Sequence, residues 1–320
     1  MSESIKKLIN DYPAARWSAL ILVALMMFFA YMFVDVMSPL KSLVESSRGW
    51  DSTVFGTYAA SEYILNVFGF LIIAGIILDK MGTRFTGLLS ASLMVIGASI
   101  KYVGITEWFQ ATDFNAWLDS WWTALPGSAK MASLGFMIFG CGCEMAGTTV
   151  SKAIAKWFQG KEMALAMGLE MAIARLGVFA VMWIAPMISN SFNQSIVAPI
   201  AFCTALLLIG LICFFVFTVM DRKLDSQLVA AGLMSEEKSS DDEFRISDLG
   251  KIFSSKMFWI VALLCVLYYS AIFPFQRYAP NYLEVTLGTD AATAGKLFSF
   301  FPILAMVLTP VLGGLLDFKG

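Results

Sequence analysis

Four ionisable residues interrupt long apolar runs of this chain: Glu62, Glu144, Glu170 and Arg175, with Asp35 near the end of another run. An ionised side chain at the centre of a bilayer costs ~2.5–3.5 kcal/mol on insertion-based scales. Four together approach the whole stability of an ordinary domain, ~5–15 kcal/mol. Such groups persist by pairing with one another or by facing a polar cavity. A guanidinium forks onto a carboxylate, and a buried carboxylate takes an ammonium or a proton. The chemistry on offer is therefore recognition of charge and exchange of protons. Bond-making chemistry has no seat: no nucleophile with its base, metal cluster or phosphate loop stands at a plausible site. No enzyme, cofactor or metal is expected. Histidine, the commonest shuttle and ligand, does not occur. Cys141, Cys143, Cys203, Cys213 and Cys265 all lie in apolar runs and read as packing residues. The C-x-C at Cys141 and Cys143 is too little for a metal site.

Spacing separates the charges. Glu170 and Arg175 are five residues apart on one helix, about 140° around its axis at ~3.6 residues per turn, so they face differently. Arg175 shares a face with Gly168, Met171 and Ala172, and Glu144 forms a row with Gly140 and Thr148. Small neighbours allow close helix packing or leave room for a ligand. Glu144 and Arg175 can pair directly, as a structural lock or as a pair that a zwitterion separates, its ammonium to Glu144 and its carboxylate to Arg175. Glu170 and Glu62 are carboxylates available for proton coupling, or polar links between helices. Asp35 reads as a cavity-mouth residue and Arg277 as an interfacial anchor. Tyr58, Tyr268 and Tyr269 stand as substrate contacts or as packing. The Met-rich run MALAMGLEMA reads as adaptable packing, or as a flexible lining for varied side chains.

These residues need a scaffold, and composition names its class. Of 320 residues 58% are hydrophobic and 14% charged, with a mean hydropathy of +0.74, against about a quarter charged in soluble domains. A spanning helix needs ~20 mostly apolar residues. Eight segments qualify: Trp17–Leu40, Thr53–Leu78, Phe85–Val103, Met131–Val150, Glu162–Ile184, Ile196–Met220, Met257–Pro280 and Ala291–Leu316. All must be helices, because lipid leaves no partner for open backbone groups. The first is too long for a signal peptide and lacks a cleavage site after it, so it is read as retained. Lys6, Lys7, Arg16, Lys80, Arg84, Lys152, Lys156, Lys161 and the basic residues of 221–256 fall on one side. Lys41, Arg48, Lys101, Lys130, Arg277 and Lys296 are assigned to the other. The positive-inside rule then places the N-terminus in the cytoplasm. The net charge of −2 and the lack of a basic patch give no reason to expect nucleic acid. The outer loop TEWFQATDFNAWLDSWWTALPG reads as an aromatic segment lying on the bilayer.

An internal repeat organises the spans. GIILDKMGTR carries Gly75, Asp79, Lys80, Gly82 and Arg84, and GGLLDFKG repeats the start of that pattern with Asp317, 238 residues after Asp79. The chain divides into a six-helix bundle at 1–220, a solvated charged linker at 221–256, and the first two helices of a second copy at 257–320. Eight helices of an expected twelve are present, and the chain reads as truncated.

The first motif, between helices two and three, resembles the gating-loop signature of the major facilitator superfamily. That resemblance implies an all-α polytopic fold that opens alternately to the two sides, with Gly75, Asp79, Lys80, Gly82, Arg84 and Asp317 as gating residues. The stretch GCGCEMAGTTVSKAIAKWFQGKEMALAMGLEMAIARLG further resembles a family of dipeptide transporters within that superfamily, as does FWIVALLCVLYYSAIFPF. The resemblance implies a small-molecule substrate of dipeptide type, with Glu144 and Arg175 holding its charged termini and Asp35, Glu62, Tyr58, Tyr268 and Tyr269 around it. Glu170 departs from that pattern. Short loops suggest a bacterial inner-membrane protein. A carrier of small organic anions, anchored by Arg175 alone, and a non-transporting membrane sensor are the alternatives.

Overall fold

A computed structural model describes residues 8–232, 250 and 252–319, excepting the side chains of 305, 309, 310 and 312–319. Half of the expected linker and the Asp317 side chain lie outside the described residues. Every span is helical. Seven continuous helices are long and apolar enough to cross a membrane, but the second, Ser52–Ile105, has 54 residues. At ~1.5 Å per residue that is about 80 Å, far beyond a hydrocarbon core of ~30 Å. Gly82 divides it, with φ +76° and ψ 172°. Only glycine takes that backbone at little cost. Eight spans result, as the apolar pattern predicts.

Helix one is Pro13–Asp35, its start fixed by proline in the first turn. Helix two begins at Ser52, where the Asp51 carboxylate accepts from the Val54 N–H at 2.8 Å. It kinks at Phe68 and Gly69 and runs to Gly82, after which helix three continues to Ile105. Helix four is Gly127–Phe158, helix five Met163–Ser191 and helix six Val197–Ala230. Helices seven and eight are Lys256–Leu287 and Ala291–Lys319. Helix one packs on helices five and six, helix four on helices two and three, and helix five also carries helix eight.

Two elements add to the expected pattern. Helix six does not stop at Met220 but continues ten residues into the expected linker, to Ala230. The cause is Asp221, which is 1% exposed. Its carboxylate accepts from Lys156 Nζ at 2.8 Å and Trp157 Nε1 at 2.9 Å, with Arg84 at 3.8 Å. Paired charge on helix four holds the extension in place. The outer loop folds into two short helices, Glu107–Gln110 and Asp113–Ser120, capped by Thr106 and Thr112. Trp108, Phe114, Trp117, Trp121 and Trp122 are exposed there. Lys130, assigned to the loop, is buried beneath it and donates to the Leu118 and Trp121 carbonyls.

The first bundle meets helices seven and eight at one end. Tyr278 Oη donates to the Ser52 carbonyl at 2.8 Å, Asn281 Nδ2 to Ser42 Oγ at 2.8 Å, and Ser42 Oγ to Glu284 at 2.7 Å. Trp183 on helix five donates to Ser299 on helix eight at 2.8 Å. All these contacts lie toward the face opposite the N-terminus. The preceding stretch of helix seven, from Met257 to Tyr269, carries mostly exposed side chains.

Candidate substrate cavity

Where helices one, two, four, five and seven converge they line a small, partly open cavity of about 50 Å³. Its lining includes Asp35, Glu62, Glu144 and Arg175, four of the residues singled out from sequence, together with Tyr31, Tyr63, Gln276 and Arg277. Close backbone approach builds it. A Cβ on Gly140 of helix four would stand 2.0 Å from the Glu62 carbonyl. Any larger residue would drive helix two away and take Glu62 with it.

The charges sort into two sets. Arg277 is 8% exposed, not the interfacial anchor expected. It donates through Nη1 to Asp35 Oδ1 at 3.0 Å and to the Val34 carbonyl, and through Nη2 to Glu62 Oε2. Ser38 Oγ donates to Asp35 at 3.3 Å. One guanidinium thus ties helix seven to helices one and two. It sits between Pro274 and Pro280 on helix seven. Each proline removes a backbone donor, here at the level where helix seven enters the first bundle.

Glu144 and Arg175 form the second set. Among the described residues no ion pair joins them, contrary to the direct pairing considered from sequence. The Arg175 guanidinium lies 5.9 Å from the ring centre of Tyr31, whose side chain also lines the cavity. One cation and one carboxylate therefore face the same space without neutralising each other.

The remaining expected residues fall elsewhere. Tyr58 is buried, stacked on Phe136 at 5.0 Å, and does not line the cavity. Tyr268 and Tyr269 are exposed, and Tyr269 reaches the lining only through its stack on Phe273 at 5.1 Å. Glu170 is buried but outside the lining. Lys101, assigned to an outer loop, is 0% exposed. Its Nζ lies over the rings of Phe33, Phe136 and Tyr58 at 4.2, 4.5 and 5.2 Å. A cation near a helix end looks the same in sequence whether it snorkels to water or turns inward, so Lys101 and Arg277 were missed.

On the N-terminal face the glycine-rich loop is tied down. Asp79 accepts from Lys152 of helix four at 2.7 Å, and Arg84 donates to Asp225 of helix six at 2.7 Å. Gly82 supplies the turn, and Gly75 and Lys80 complete the loop. A family model described as Major Facilitator Superfamily matches residues 23–320. The chain belongs to that superfamily. Its fold is that of a multi-pass membrane protein. The lysosomal dipeptide transporter MFSD1 of Homo sapiens is 23% identical over 96% of this chain, and that of Pongo abelii 23% over 95%. The Danio rerio MFSD1 is 28% identical over 62% of the chain. The chain spans 62% of the length of the human and Pongo abelii relatives. The crystal structure of a D-xylose-proton symporter superposes on 95% of this chain and 70% of its own, with a TM-score of 0.62 at 14% identity. That likeness is one of fold.

Proposed function

We propose that this superfamily member moves dipeptides across its membrane by alternating access, with Glu144 and Arg175 as the groups that hold the two termini. The observation that carries this reading is the unneutralised pair: a carboxylate and a guanidinium line one cavity and make no ion pair with each other. Asp35 and Glu62, by contrast, are already engaged by Arg277. A zwitterion satisfies both free groups at once, whereas a simple anion leaves the half-buried Glu144 facing the cavity without a partner. This disfavours the organic-anion alternative. Similarity to proteins named as dipeptide transporters points the same way.

Termini recognised through charge leave the side chains to the walls. Tyr31, Tyr63, Phe273 and Val178 offer ring and aliphatic surface without a dedicated polar partner, so selectivity among dipeptides should be broad. The Arg277 link and the Ser42, Asn281 and Glu284 contacts close the face opposite the N-terminus. With the N-terminus placed in the cytoplasm and the protein in a bacterial inner membrane, this is the inward-facing state. The loop around Gly82, with Asp79 and Arg84, would form the cytoplasmic gate in the opposite state. Uptake of labelled dipeptide by proteoliposomes tests the proposal: the intact protein should accumulate counterflow signal, and Arg175→Ala should abolish it.

A further inference from the structure

A second cavity, of about 310 Å³, opens between the two halves on the face opposite the N-terminus. That volume stands at the lower end of the range for small-molecule sites, ~300–1,000 Å³. The first bundle contributes Leu40, Leu43 and Ser46, which follow helix one, and Pro186, Ser189 and Asn190 at the end of helix five. The turn between helices seven and eight contributes Glu284 and Asp290. Local sequence fixes that turn. Gly288, at φ +62°, ends helix seven, and the N–H groups of Gly288 and Thr289 donate to the Glu284 carbonyl. Asp290 then caps helix eight, accepting from the Thr293 N–H at 3.0 Å.

Two carboxylates thus line a space whose walls hold no lysine or arginine. Among the described residues neither Glu284 nor Asp290 has an ion-pair partner. The cations nearby in sequence are engaged elsewhere: Lys41 donates to Glu45 at 3.1 Å, and Lys296 Nζ lies over the Trp183 ring at 5.1 Å. Ser189 adds an independent sign of a missing ligand. It is 1% exposed and belongs to the cavity wall, yet its Oγ makes no hydrogen bond. Helical serines commonly fold back on the preceding turn, as Ser191 does on the Met187 carbonyl at 2.9 Å. A buried hydroxyl left open is costly, and a ligand in the cavity removes that cost.

We propose that this cavity is a second binding site, for a small aliphatic ammonium ion, separate from the site of Glu144 and Arg175. An ammonium donates three hydrogen bonds, and the carboxylates of Glu284 and Asp290, the Ser189 hydroxyl and the amide oxygens of Asn190 and Gln194 supply acceptors around one space. Leu40, Leu43 and Pro186 give the hydrocarbon part an apolar floor. A bare metal ion fits less well: calcium takes 6–8 oxygen ligands, and among the described residues no three acidic or cysteine side chains converge. The walls come from both halves, so an occupied cavity joins the first bundle to helices seven and eight. Bound amine therefore favours the state closed at this face, because the opposite state pulls the two walls apart. The site itself depends on neither the dipeptide assignment nor its residues.

Thermal-shift titration of the intact protein with 1,4-diaminobutane tests the site, with 1,4-butanediol as neutral control and magnesium chloride at matched ionic strength. The diamine should raise the unfolding midpoint with concentration, and neither control should do so. Glu284→Gln keeps an acceptor for Ser42 and Asp290→Asn keeps the cap, so the double variant should fold. It should bind the diamine at least about tenfold more weakly, and Ser189→Ala about two- to tenfold more weakly. Arg175→Ala should bind it as the parent does. Equal stabilisation by either control, or unchanged binding in the double variant, overturns the proposal. Lost binding in Arg175→Ala places the amine in the central cavity and overturns it equally. Nitroxide labels at Ser47→Cys and Tyr282→Cys, both exposed, in protein with native cysteines replaced, test the bridging. Diamine should raise the share of short distances, and an unchanged distribution overturns that part. Failed dipeptide uptake alongside intact diamine binding would fault the substrate assignment alone.

Discussion

Arg277 Nη1 lies 3.0 Å from Asp35 Oδ1, and this contact joins the two halves of the fold through charge. The same guanidinium reaches Glu62, so three buried charges from helices one, two and seven meet at one point. Buried pairs add little net stability when complete, but removing one partner strands the other. Here one partner serves two.

Arg277→Ala should therefore destabilise the protein by ~3–5 kcal/mol, the usual loss for a broken buried pair. Thermal unfolding in detergent would show it as a lowered midpoint. Adding Asp35→Asn and Glu62→Gln to Arg277→Ala should recover much of the loss, since the stranded charges are gone. No recovery would mean that Arg277 acts through packing and not through its charge.

Asp221 and Asp79 offer a contrast on the N-terminal face. Asp221 is buried with Lys156 and Trp157, and Asp221→Ala should cost ~3–5 kcal/mol. The Asp79–Lys152 pair is partly exposed, and Lys152→Ala should cost no more than ~1 kcal/mol. Unfolding midpoints of the two variants check the order. Added salt should weaken only the second interaction.

Gly140→Leu should open the contact between helices two and four. Its side chain would begin 2.0 Å from the Glu62 carbonyl, and overpacking of this kind costs ~1–3 kcal/mol. Because Glu62 moves with helix two, the variant should also loosen the Arg277 link. Distances between labels on the two halves would report that loosening.

Sequence pattern carried the spans and the charges at their centres. Glu144 and Arg175 were legible because a charge within an apolar run has no innocent explanation, and Gly82 was legible because its motif marks a turn. Lys101 and Arg277 were not. Each sits near the end of an apolar run, where Lys and Arg ordinarily reach for water. What turns Arg277 inward is the packing of helix seven against helices one and two, where Asp35 and Glu62 await it. Tyr31 carried no signal either, since aromatic residues abound in membrane helices. Asp221 was hidden for a related reason: beside the charged segment that follows it, it looked solvated, and only the approach of Lys156 from helix four shows otherwise.

The assignment of Glu144 and Arg175 predicts two separable losses. A charged hydrogen bond contributes ~1.5–3 kcal/mol, about 10- to 150-fold in affinity. Glu144→Gln should weaken binding of a free dipeptide by that factor, yet change little for one whose amino terminus is acetylated. Arg175→Gln should do the same for the carboxyl terminus, with little change for the amide. Affinities from thermal-shift titration of the four ligand and protein combinations would show it.

The most direct measurement is counterflow of a labelled dipeptide into proteoliposomes of the intact protein, competed by the free, amino-acetylated and carboxy-amidated forms of that dipeptide. The account predicts that the free dipeptide competes, that each singly blocked form competes far less, and that Arg175→Ala shows no counterflow. Uptake unchanged in Arg175→Ala, or equal competition by the blocked forms, would contradict it.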